Sequence, residues 1–172
     1  VNPVGGGKEA TGLVTRFTRN LPDTPLGFPV PLRLFSEIDL AKILANTWFN
    51  DFNHEQLTYQ LDEERIESKL RPFEQRHAPT SSYTGVSRDD VVALWDYLNS
   101  SFRKSVEKLE HAYWPRVLKL APTLSPSERA ELFSLLWGEQ PALTATYRTL
   151  ACCLDKLKHA NTVFAPLDCL LS

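Results

Sequence analysis

Hydrophobic residues recur at three- and four-residue steps through most of this chain, and alternate with polar ones only towards its ends. The clearest stripe lies between Ser87 and Ala121. There Val91, Leu94, Trp95, Leu98, Phe102, Val106, Leu109, Tyr113 and Val117 fall on one side of a helix, while Asp96, Arg103, Lys104, Glu107 and Lys108 fall elsewhere on the wheel. Ser87 is placed to cap that helix, with Asp89 and Asp90 beside its exposed N–H groups. Pro115 is predicted to kink or interrupt it near Trp114. The uninterrupted part would run for about 39 Å at 1.5 Å per residue.

The same period predicts further helices. One starts after Ser36 and runs to about Phe52, with Ile38, Ala41, Leu44, Ala45, Trp48 and Phe52 inward. A second, capped by Asn53, covers His54 to about Leu70, with Leu57, Leu61, Ile66 and Leu70 inward and a charged outer face from Asp62 to Glu67; Pro72 ends or bends it. Ser125, Pro126 and Glu128 form a capping-box signature for a helix reaching Trp137 and stopping at Gly138. Pro141 opens the last helix, to about His159, with Leu143, Tyr147, Leu150, Leu154 and Leu157 inward and Lys156, Lys158 and His159 in its last turn. His77 to Gly85 is a polar loop.

Near the N-terminus the pattern changes to that of strands. Thr11 to Thr18 is rich in β-branched and aromatic residues, and Val30 to Ile38 begins with an alternating run; the two are predicted to pair as an antiparallel hairpin across the breaker-rich loop Arg19 to Pro29. The apolar tail after Asn161 is a further strand candidate, weakened by Pro166. The expected fold is mainly α: an irregular bundle of about five helices with a small β element from the N-terminal strands, to which the C-terminal tail is a candidate addition. The expected divisions are 1–35 as glycine-rich loop and hairpin, 36–160 as helical domain, and 161–172 as tail.

Composition narrows this picture. With 172 residues, 42% of them hydrophobic and 23% charged, the chain is long enough for one domain with a real core. Its 19 basic and 21 acidic residues leave a net charge of −2, which argues against a nucleic-acid partner. No apolar run approaches the roughly 20 residues that cross a bilayer. Cys152, Cys153 and Cys169 are expected to be reduced and buried, without zinc-ligand spacing. The chain begins at Val1 and contains no methionine, so it is expected to be a piece of a longer protein.

The candidates for chemistry are few. Gly5, Gly6, Gly7 and Lys8 do not make a phosphate loop, because Glu9 stands where a hydroxyl is needed and no strand precedes the glycines. A mobile glycine loop followed by threonines and a strand matches instead the layout of a nucleotide switch segment, in which Thr11 or Thr15 would supply a hydroxyl to magnesium; a loop entering an edge hairpin is the plainer reading. His77, Ser81 and Asp89 lack the surroundings of a hydrolase triad, and Glu63, Glu64 and Glu67 suit a solvated helix face. Tyr113 and Trp114, next to Pro115, are the candidates for an exposed aromatic patch and a partner contact. No metal ligands are predicted.

The segment NPVGGGKEATGLVTRFT, followed by PVPLRLFSEIDL, resembles the putative bacterial virulence factor family often labelled SrfC-like, and its layout is similar to the switch region of dynamin-like GTPases. The resemblance covers about the first 40 residues. It implies that Thr11 and Thr15 lie in or beside a switch whose mobile part is Gly5 to Gly7, with GTP and magnesium as cofactors of the full-length protein and none in this piece. The phosphate loop, the DxxG segment and the base-recognition segment of such GTPases are missing here, so no activity is expected of the piece alone. The alternative is a helical protein–protein interaction module with no nucleotide binding. Protein partners and homo-oligomers through exposed strand edges are expected. The resemblance implies a bacterial protein that is cytoplasmic, or else secreted or host-directed.

Overall fold

The structure is a computed structural model, and it describes residues 23–52, 59–76 and 85–170. Its described part is mostly helical with a small two-stranded antiparallel sheet, the class expected from the periodicity. Chain contacts divide it into two units, residues 33–163 and residues 1–32 with 164–172. The predicted strand at Thr11 to Thr18, the loop from His77 to Thr84 and the residues from Asn53 to Thr58 lie outside the described residues.

The elements are β1 (Val30–Arg33), α1 (Glu37–Asp51), α2 (Glu63–Glu74), α3 (Arg88–Val106), α4 (Leu109–Ala112), α5 (Trp114–Leu120), α6 (Pro126–Phe133), α7 (Pro141–Lys156) and β2 (Thr162–Ala165). Three helices start at serine caps that the sequence marks. Ser36, Ser87 and Ser125 each accept a backbone N–H from the residue three positions on, and Asp39, Asp90 and Glu128 reach back to the cap's own N–H. Each such box satisfies amides that would otherwise have no partner. A 3₁₀ turn, Ser134–Trp137, follows α6 and ends at Gly138 in the left-handed region (φ 61°).

α1 is the helix around which the body packs. It lies against α3, α7 and the Ser134–Trp137 turn, while α6 and α7 pack on one another. Ala41 and Ala45 on α1 are fully buried, small enough to let neighbours close in, with Leu44 and Trp48 filling the space beside them. From the other elements, Leu70, Leu94, Leu98, Val117, Phe133, Leu136 and Trp137 join the same core.

Several expectations need correction. The long central helix is broken well before Pro115. Phe102 leaves helical geometry (φ −137°, ψ 32°), its ring stacking on Phe49 at 4.7 Å, and α3 ends at Val106. Packing against α1 thus overrides local propensity. Pro115 instead sits in the first turn of α5, where its missing N–H costs nothing. The stripe survives the break, because α4 and α5 return Leu109, Tyr113 and Val117 to the core.

α2 begins at Glu63, since Asp62 captures the amide of Arg65 at 2.8 Å and sets the start there. It also runs through Pro72, whose absent N–H would have met the carbonyl of Ser68, an exposed residue that water can serve. On α7 the inward residues are Thr144, Tyr147, Ala151 and Leu154; Leu150 and Leu157, expected inside, are 42% and 45% exposed. The cysteines are not buried either: Cys152 is half-buried, Cys153 and Cys169 are exposed. Among the described residues β1 pairs with β2, so the tail supplies the partner strand, and Leu34 N–H donates to Asn161 O at 3.0 Å where the pairing ends.

Candidate functional site

The break in α3 opens a cleft. Lys104, Ser105, Glu107, Lys108 and Leu109 form one side of it, on the end of α3 and the turn into α4. Trp48 and Phe49 of α1 form another, Tyr59 and Leu61 ahead of α2 a third, and Leu135 closes the bottom. Its volume is about 410 Å³, towards the small end of ligand-binding cavities.

The walls are aromatic and held from behind. Trp48 packs on Phe52 (5.1 Å between centroids) and meets Tyr59 edge to face (5.8 Å, 86°), and Phe49 is stacked on Phe102. The guanidinium of Arg65 lies 4.8 Å from the Tyr59 ring centre while donating to Glu139 at 2.6 Å. The Tyr59 hydroxyl is buried with no hydrogen-bond partner among the described residues. Its pKa is raised well above that of a free tyrosine, first by burial and then by the negative charge of Glu139, so the group stays a proton donor.

A second polar cluster lies inside the body. Arg129 on α6 donates to both carboxylate oxygens of Glu37 at 2.7 Å, and both side chains are fully buried. Tyr147 adds a third bond to Glu37 at 2.8 Å, and Arg129 also donates to the carbonyl of Leu124 at 2.6 Å. Burial, then the charge of Glu37, pushes the Tyr147 phenol far up. Every partner is satisfied and no solvent reaches the pair, so this cluster joins α1, α6 and α7 and has no room for a substrate. Among the described residues no group of three or more histidine, cysteine, aspartate or glutamate side chains is placed to hold a metal.

The residues singled out from the sequence fare differently. Gly5, Gly6, Gly7, Thr11 and Thr15 lie outside the described residues, as do His77 and Ser81. Tyr113 and Trp114 are not a surface patch: both have zero exposure. Tyr113 donates to the carbonyl of Leu132 at 2.8 Å, and Trp114 stacks on Trp95 at 6.2 Å. The turn between α4 and α5 points this aromatic pair into the core, as the stripe foretells for Tyr113 but not for Trp114. Sequence reasoning missed the cleft because it assumed an unbroken helix through residues 104–108.

A family model described as putative bacterial virulence factor matches residues 1–172, the whole chain. No curated protein and no solved structure matches it. Among the described residues no helix is long and apolar enough to cross a membrane.

Proposed function

From the premise that this chain belongs to the putative bacterial virulence factor family, we propose that its helical body is a protein-interaction module and that the cleft between Trp48, Tyr59 and Lys104 is where a partner segment docks. The observation that carries this reading is one cleft whose walls are aromatic and whose rim, at Lys104, Ser105 and Lys108, is exposed. Aromatic side chains supply much contact area at small entropic cost. The test is site-directed photocrosslinking of this protein in the bacterium that makes it. A benzophenone on Ser105→Cys is expected to give discrete adducts that the same label on Glu64→Cys, on the solvent side of α2, does not. Equal adduct patterns from both positions would end the docking reading.

A second reading rests on sequence alone. Gly5 to Gly7, Thr11 and Thr15 have the layout of a switch segment, which would make this chain the switch I region and helical insertion of a GTPase-like protein using GTP and magnesium. Titration of GTP into the full-length protein and its Thr11→Ala and Thr15→Ala variants tests it. Unchanged affinity and hydrolysis in both variants would remove the switch assignment.

A further inference from the structure

The cleft has an apolar floor and a basic lip. Leu135 at the floor is 2% exposed, whereas Lys104 and Lys108 on the lip are exposed. Three other cations of the helical body are engaged: Arg65 with Glu139, Lys69 with Glu131 and Glu139, and Arg116 with Glu67 and Glu74. Neither Lys104 nor Lys108 has an ion-pair partner among the described residues. Glu107 stands on the same lip, which keeps a positive excess from its two lysines.

This local sign runs against the chain as a whole, whose net charge is −2. A cavity of about 410 Å³ admits one or two side chains rather than a folded surface. An apolar anchor would bury itself against Tyr59 and Leu61, both half-buried in the cleft wall. Negative charges beside that anchor would meet the lysines.

We propose that the cleft takes an extended acidic segment of a partner protein, anchored by one aromatic or leucine side chain and flanked by carboxylates that face Lys104 and Lys108. The proposal rests on the docking reading above and names the chemistry of its partner. Complementary charge at an exposed rim acts mainly on encounter rate and choice of partner, while the anchor holds the complex. A nucleic acid would leave the apolar floor unused, and two lysines neutralise too few phosphates to hold one.

The experiment is a panning of a random heptapeptide phage library on the 172-residue chain. Enriched peptides are expected to carry aspartate or glutamate around an aromatic residue or leucine. A synthetic copy of the best binder, titrated into ¹⁵N-labelled chain, should shift the indole N–H of Trp48. The Lys104→Glu/Lys108→Glu variant, changed only at exposed positions, should weaken that binder about tenfold or more, and added salt should weaken it in wild type.

Binders without acidic bias, or binders that the double variant holds as tightly, would overturn the acidic-segment proposal while cleft-centred shifts kept the docking reading. A selection yielding no peptide that shifts Trp48 would overturn both. Should the chain dimerise in sedimentation and the double variant not, the occupant would be a second copy and the proposal would fail.

Discussion

Arg129 holds Glu37 by two bonds of 2.7 Å between α6 and the first turn of α1, and neither side chain has any exposed surface. Taking two charges out of water is costly, and it is tolerable here because Tyr147 and the carbonyl of Leu124 complete the remaining hydrogen bonds. Removing one partner strands the other. Arg129→Met is therefore expected to destabilise the fold by about 3–5 kcal/mol, while Glu37→Leu/Arg129→Met together should recover only part of that loss, because the Tyr147 hydroxyl and the Leu124 carbonyl then lose these partners. Urea unfolding of the single and double variants measures it. A single variant costing under about 1 kcal/mol would show that the pair is not closed off from water.

Gly138 sits against the indole of Trp48 so closely that a Cβ there would lie 2.3 Å from Cζ2, at a φ of 61°. Gly138→Ala thus meets two penalties: about 1–2 kcal/mol for the left-handed backbone and about 1–3 kcal/mol for overpacking. Because Trp48 walls the cleft, the variant should also alter the near-ultraviolet circular dichroism of the folded state. A stability within about 0.5 kcal/mol of wild type would mean that the glycine is not needed there.

How much of this was legible in the residues depends on what each signal senses. The serine caps were plain, because a cap is a local bargain among residues three apart, as in Ser125 with Glu128. Helix ends set by distant contacts were not. Nothing near Phe102 announces its departure from helical geometry; the cause is Phe49, on another helix. The same limit hid the cleft and misplaced Trp114, while Tyr113 is buried as its place on the stripe requires. Leu150 and Leu157 show the converse: their spacing fits the α7 stripe, yet α1 and α6 reach only the face that carries Tyr147, Ala151 and Leu154.

Acid should weaken the fold in a defined window. For Glu139 burial acts to raise the pKa, but hydrogen bonds from Arg65 and Lys69 and their charges outweigh it and hold the carboxyl below its ordinary value of 4.5. Glu74 is likewise lowered, first by its hydrogen bonds from Arg116. A carboxylate with a depressed folded pKa contributes stability that is fully present above the unfolded value and is lost as pH falls through the folded one. Thermal unfolding is expected to show constant stability above about pH 5 and a decline below pH 4.5. Glu139→Gln should flatten part of that decline. An identical acid slope in the variant would assign the loss to other carboxylates.

Tyr59 gives the sharpest separation of stability from binding. Its hydroxyl is buried without a partner among the described residues, so the fold gains no hydrogen bond from it and bears the cost of its lost hydration. Tyr59→Phe keeps the ring that meets Trp48 at 5.8 Å and that Arg65 covers at 4.8 Å. Stability should therefore be unchanged or higher by up to about 1 kcal/mol, because the variant removes only the unsatisfied group. Binding should be unchanged: the hydroxyl has no exposed surface, so an acidic peptide would meet only the ring, which the variant keeps. The two readouts, urea midpoint and peptide affinity, come from the same preparation. A variant destabilised by more than about 1 kcal/mol would mean that the hydroxyl already has a partner in the fold.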